Sequence, residues 1–168
     1  IHGQLPSKAR EYFEKTTIEA RRVHDQYCLI EANIGLGYCA VATGDTNEAM
    51  KYLETLKGTL SIGRHPDLQA GIKLGLAAVS HQQGKIEVAE KLYQEVIEFL
   101  NQNKMQSMHL IRAWIGLGAI YWHSDRIGKA KEAWQKSFRA AEQISKFKRT
   151  LSEIIINSCR AHSHVPPL

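Results

Sequence analysis

The sequence predicts an all-α solenoid of seven to eight helices stacked as antiparallel pairs. Four times an alanine opening a run of helix formers is followed, four residues later, by a bulky side chain: Ala9 with Phe13, Ala49 with Leu53, Ala89 with Tyr93, and Ala130 with Trp134. These alanines stand 40, 40 and 41 residues apart. A second motif, Ile34-Gly35-Leu36-Gly37, returns at the same interval as Leu74-Gly75-Leu76-Ala77 and Ile115-Gly116-Leu117-Gly118. Two independent motifs with one period of this size mark a helical repeat, in which each unit buries its apolar face against its neighbours. The composition supports one continuous core: 43% of residues are hydrophobic and 23% charged, with only 4 prolines to interrupt helices.

Taken in chain order, residues from about Ser7 to His24 carry the alanine motif of a second helix with no first helix before it. From about Tyr27 to Thr43, Ile30, Ile34, Tyr38 and Val41 recur at helical spacing. Gly44 stops this helix, and Asp45 with Glu48 resembles a capping box for the next, which is expected to run to about Leu60. The plan repeats with a helix from about Asp67 to Gln83, a stop at Gly84, and a helix from about Ile86 to Leu100. The last full unit has helices near Ser107–His123 and Ile127–Lys146, with Ser124-Asp125 in place of the glycine turn. One further helix is expected over Thr150–Ala161. This gives a single repeat domain over residues 1–161: a partial unit 1–26, units at about 27–66, 67–106 and 107–149, a terminal helix 150–161, and a disordered tail 162–168 containing Pro166-Pro167. A second helix without its first exposes an apolar face, so the chain is expected to be a segment of a longer array or to pair at its end.

Small residues have a packing role in this scheme. Gly37, Ala77 and Gly118, like Ala49, Ala89 and Ala130, fall where helices approach closely. Leu36, Leu76 and Leu117 with Phe13, Leu53, Tyr93 and Trp134 are expected to form the core between repeats. Cys28, Cys39 and Cys159 show no CxxC spacing and read as reduced thiols. No window carries the roughly 18–20 apolar residues that cross a bilayer, so the chain reads as cytoplasmic with no membrane partner.

Trp114, Leu117, Gly118, Tyr121, Ala130 and Trp134 follow the spacing W-x2-L-G-x2-Y, alanine, bulky residue. This resembles the tetratricopeptide repeat. The first full unit keeps Leu36, Gly37, Ala49 and Leu53 but has Asn33 and Ala40 in the two aromatic places, and the second keeps Leu76, Ala89 and Tyr93. The interval of 40–41 exceeds the family's common 34, and Gly63-Arg64-His65-Pro66-Asp67 marks one of the longer connections. That stretch and the segment from Gln83 to Tyr93 look like the long repeats of kinesin light chains and bacterial signalling arrays. The resemblance implies a right-handed superhelix whose first helices line a concave groove. It also implies that Glu31, Ile34, Tyr38 and Val41, then Gly71, Leu74, Ala78 and His81, then Arg112, Ile115, Ala119 and Trp122 face that groove. Such a groove is mostly apolar. It suits the apolar face of a helix or an extended peptide, with Tyr38 and Trp122 as anchors. Arg112 is the one residue of the kind that family members use to clamp a carboxylate terminus.

Enzyme chemistry finds no support. His162 and His164 are closely spaced only in the proline-flanked tail, His24, His65, His81, His109 and His123 stand alone, and the glycines form no GxGxxG after a strand. Glu87, Glu90, Glu95 and Glu98 follow a helix surface. No catalytic residue, metal site or cofactor is assigned. Charge is uneven: residues 1–124 hold 13 basic and 13 acidic side chains, residues 125–168 hold 9 and 4. Lys129, Lys136, Arg139 and Lys146 are part of this basic end, which could attract an acidic partner or nucleic acid. A solvated helix face is expected instead, the nearby Trp134 being assigned to the core rather than to a nucleic-acid stacking platform.

Three functions follow for such a chain. The first is a scaffold for another protein or peptide, whether a different protein, another part of the same one or a second copy. The second is a regulatory or sensor segment of a bacterial signalling or transcription regulator. The third, RNA binding, is the least supported, since Ile34, Leu74 and Ile115 sit where a base code needs polar side chains.

Overall fold

A computed structural model describes the backbone of residues 4–56 and 65–162 and the side chains of residues 7–56 and 65–146. Seven α-helices account for it: α1 (Gln4–Arg22), α2 (Gln26–Thr43), α3 (Thr46–Leu56), α4 (Pro66–Gln82), α5 (Ile86–Gln102), α6 (Met108–His123) and α7 (Ile127–His162). No strand occurs among the described residues. Residues 57–64, with part of the connection marked by Gly63 and Arg64, lie outside the described residues, as does the tail beyond His162.

The turns between paired helices share one geometry. Gly44 ends α2 with φ 83°, and Gly84 follows α4 with φ 74°, both in the left-handed region that glycine enters without steric cost. At the equivalent place after α6 stands Asp125, with φ 58°. Aspartate tolerates this conformation better than most residues, so the turn survives without its glycine. Asp45 accepts a hydrogen bond from the Glu48 amide at 2.9 Å, which confirms a side-chain cap at the start of α3. Asp25 does the same for the Cys28 amide at the start of α2.

The helices form two layers. The backbones of α2, α4 and α6 touch in sequence, while those of α1, α3, α5 and α7 stay apart among the described residues. The inner layer is therefore the tighter one. Enclosed on several sides, α4 buries Leu68, Ala70, Gly71, Ile72, Leu74, Gly75, Leu76, Ala77 and Val79, which go around its circumference. The outer helix α5 buries Ala89, Tyr93, Val96, Ile97 and Leu100, a single stripe at helical spacing. Side chains bridge the outer layer: Arg10 forks onto Glu48 between α1 and α3, and Arg126 onto Glu90 at 3.0 and 2.7 Å between α5 and α7.

The two repeated motifs meet in three dimensions. Phe13, Leu53 and Tyr93 of the outer helices each enter a socket made by a glycine of the following inner helix. A Cβ at Gly35 would stand 2.5 Å from the Phe13 ring, and one at Gly75 would stand 2.7 Å from Leu53. One at Gly116 would collide with the Tyr93 ring. A second row packs against bulky residues of its own unit: Gly37 against Leu53 at 3.1 Å, and Gly118 against the Trp134 indole. The glycines are spaces that the knobs require.

One element differs from expectation. Residues 127–146 and 150–161, read as two helices, form the single 36-residue helix α7. Neither glycine nor proline stands between Ser145 and Leu151, so nothing in the local sequence interrupts the hydrogen-bond ladder.

Candidate functional site

The first candidate site lies on the inner layer. A cleft of ≈ 540 Å³ is lined from α1 by Tyr12, Phe13 and Thr16, from α2 by Glu31, Ile34 and Tyr38 among others, from α4 by Asp67 and Leu68, and from α6 by Met108, His109 and Arg112. Tyr38 organises it. Its hydroxyl donates to the Gly71 carbonyl at 2.9 Å, joining α2 to α4, and the Arg112 guanidinium sits 5.2 Å from its ring centroid, joining both to α6. Burial pushes the Tyr38 hydroxyl well above the usual tyrosine range. At the rim the Tyr27 hydroxyl donates to Asp67 at 2.5 Å, and that bond, with burial, pushes it up to about 12. Burial and the Arg112 charge lower the His109 pKa. The His109 Nδ1 and Ser107 Oγ are buried without a hydrogen-bond partner among the described residues.

The inner-helix positions fall into three groups. Glu31, Ile34, Tyr38 and Arg112 are brought together in this cleft. Ile115 and Trp122 are exposed on α6 outside it, with Val41, Ala78, His81 and Ala119 half-buried. Val41 gives its carbonyl to the Gln82 side-chain amide at 2.6 Å, and the His81 and His123 rings lie 6.0 Å apart. The apolar stripe requires correction. Leu74 is buried within the core and Gly71 is buried between Ile34 and His109, so neither lines the cleft, whereas Ile34, although largely buried, contributes to its floor. An inner helix flanked by neighbours on both sides uses these positions for packing, so the cleft is rimmed by charge, from Glu31, Asp67 and Arg112, over a narrow apolar floor. Tyr12, Asp67, Met108 and His109 escaped the sequence reading because they lie on α1 or at helix starts, outside the assumed periodicity.

A second candidate lies on the outer layer, in a trench between α5 and α7 that is floored by α6. Cavities of ≈ 650 and ≈ 450 Å³ share Ile97, Asn101, Trp114 and Lys136. Lys136 Nζ stands 4.7 Å from the Trp114 ring centroid, and the Tyr121 ring lies beneath Arg126 at 4.6 Å and Lys129 at 5.8 Å. Further aromatic residues accompany the basic end in space. Trp114 and Tyr121 are far from α7 in sequence but come up from α6 beneath it. Lys129, Lys136, Arg139 and Lys146 are all exposed.

Cys28 and Cys39 are free, with Cys39 buried, and the Cys159 side chain lies outside the described residues. Among the described residues no cluster of three histidine, cysteine or acidic side chains could hold a metal, and no helix is long and apolar enough to cross a membrane. His162 and His164 fall outside the described side chains.

Stacked antiparallel pairs with a close-packed inner layer and inner-helix glycine sockets fit a helical repeat of the tetratricopeptide type. A family model described as tetratricopeptide repeat matches residues 30–57, the α2–α3 unit. The chain is also similar in fold to the crystal structure of BtubC (BKLC) from P. vanneervenii, with 18% identity and a TM-score of 0.63. That match covers 84% of this chain and 59% of the other, so the chain spans well under two thirds of that protein. No curated protein matches the chain in sequence. Repeats of this type are in general protein–protein interaction modules and typically non-enzymatic.

Proposed function

We propose that the chain is a protein-interaction scaffold that holds an extended peptide or a helix of a partner against its inner face. The observation that carries this reading is the cleft of ≈ 540 Å³ in which α1, α2, α4 and α6 contribute side chains to one surface. Four elements converge there. The floor is apolar, from Phe13, Ile34 and Leu68, and the rim offers both signs of charge and the exposed side chains of Tyr12 and Met108. An apolar floor with polar direction at the rim is the arrangement by which a peptide gains affinity from burial and orientation from hydrogen bonds. Aromatic, methionine and arginine side chains are also the types enriched at such contacts.

The test is affinity purification of partners followed by calorimetry. Tyr12→Ala and Arg112→Ala are each expected to weaken the partner by more than about 1 kcal/mol with little change in thermal stability, because both residues are exposed. Full affinity in both variants, with loss on changing Lys51 of the outer face, would refute the inner-face reading.

A further inference from the structure

The outer trenches differ in charge at equivalent positions. Where Asn33 and Thr55 stand in the first unit, the second has Lys73 and Glu95, and the third has Trp114 and Lys136, each set 40 or 41 residues after the last. Lys73 and Glu95 form an ion pair at 2.9 Å across the α4–α5 contact. In the third unit the tryptophan replaces the lysine and the lysine replaces the glutamate. The ion pair becomes a cation over a ring, and the Lys136 charge has no carboxylate partner among the described residues. The reversal extends along the helix. Glu90, Glu95 and Glu98 of α5 correspond to Lys131, Lys136 and Arg139 of α7. Lys136 and Arg139 are three residues apart, which puts them on one face of α7, and both line the cavity that contains Trp114.

We infer that the trench between α5 and α7 docks an acidic peptide segment, which lays an apolar side chain on Trp114 and sets carboxylates against Lys136 and Arg139. This site is independent of the inner cleft. Charge complementarity selects the occupant: two cations with no carboxylate partner among the described residues, and the amides of Asn101 and Gln143, border an aromatic floor. A peptide fits better than a nucleic acid. Glu98 and Glu132 line the same trench and would repel a continuous phosphate backbone, whereas a peptide places its carboxylates discretely.

The experiment measures anisotropy of a labelled acidic peptide in which leucine and phenylalanine alternate with pairs of glutamates. A glutamine version, a lysine version and labelled oligouridylate serve as comparison probes. The protein is expected to bind the acidic peptide and to hold the glutamine version at least about tenfold more weakly. Lys136→Glu with Arg139→Glu, both at exposed positions, is expected to abolish binding of the acidic peptide and gain binding of the lysine version. Arg112→Ala in the inner cleft is expected to leave the acidic peptide bound as in the parent. The inference is overturned if the parent protein does not bind the acidic peptide or if binding survives the double charge reversal. It is equally overturned if oligouridylate binds more tightly than the peptide, or if Arg112→Ala alone removes the peptide.

Discussion

The interior seams of the stack and its last unit are built from the same repeated residues and have different surroundings. Leu74 of α4 is 2% exposed because α6 covers it, whereas its counterpart Ile115 of α6 is 49% exposed. Ile97 of α5 is 6% exposed and its counterpart Phe138 of α7 is 68% exposed. Leu53 is held between Gly37 of its own unit and Gly75 of the next, and is fully buried. Trp134 has Gly118 behind it but no described inner helix ahead, and remains 37% exposed. It leans instead on Trp122, with ring centroids 5.8 Å apart. In this fold burial is set by the neighbouring unit more than by residue type, as expected where units interact only with their nearest neighbours.

The largest effect should come from emptying an interior socket. Leu53→Ala is expected to cost about 2–5 kcal/mol, the range for truncating a buried leucine, while Trp134→Ala is expected to cost less than half as much although it removes a larger side chain. Urea denaturation checks this, and equal costs would break the comparison. Filling a socket comes next: Gly116→Ala pushes a methyl into the Tyr93 ring and is expected to cost about 1–3 kcal/mol. The control is Gly128 in the first turn of α7, where an added Cβ meets nothing within 4 Å. Gly128→Ala is expected to stabilise by up to about 1 kcal/mol, read as a rise in thermal midpoint.

The smallest expected effect is a pH dependence. Burial, with the Arg112 charge, lowers the His109 pKa, and burial with the neighbouring His123 lowers that of His81. Their folded forms are therefore neutral at pH values where the unfolded chain has begun to take up protons. Stability is full above the ordinary histidine value of about 6.5 and falls as pH drops from there through the lowered folded values. Urea midpoints at about pH 7.5 and about pH 5.5, spanning the histidine range, should differ less in His109→Gln than in the parent protein. An unchanged difference would show that His109 is not among the groups responsible.

Much of the fold was legible because two motifs share one interval. The alanine–bulky pairs and the Gly-containing quartets are the two sides of one contact, as Leu53 in the Gly75 socket shows, so both had to recur together. Helix ends were legible where glycine marks them, at Gly44 and Gly84. The break near residue 147 had no such mark, and α7 runs through it. The candidate site was less legible. The resemblance implied a groove position for Leu74 because a family register does not say which side of an inner helix another helix will occupy. The trench was missed for the opposite reason: Trp114 and Lys136 are 22 residues apart in sequence, and only antiparallel packing of α6 and α7 brings the ring beneath the ammonium.

The interlocking of knob and socket across one seam is the claim on which the rest depends, and a double-mutant cycle on Leu53 and Gly75 tests it most directly. Each variant is unfolded in urea: Leu53→Ala, Gly75→Ala, and the two together. Gly75→Ala alone should destabilise by about 1–3 kcal/mol through overpacking. In the double variant the added methyl enters space that the leucine has left, so the combined cost should fall short of the sum of the single costs by more than about 0.5 kcal/mol, the margin within which independent sites add. Costs that add within that margin would contradict the contact, and with it the register of every unit in the stack.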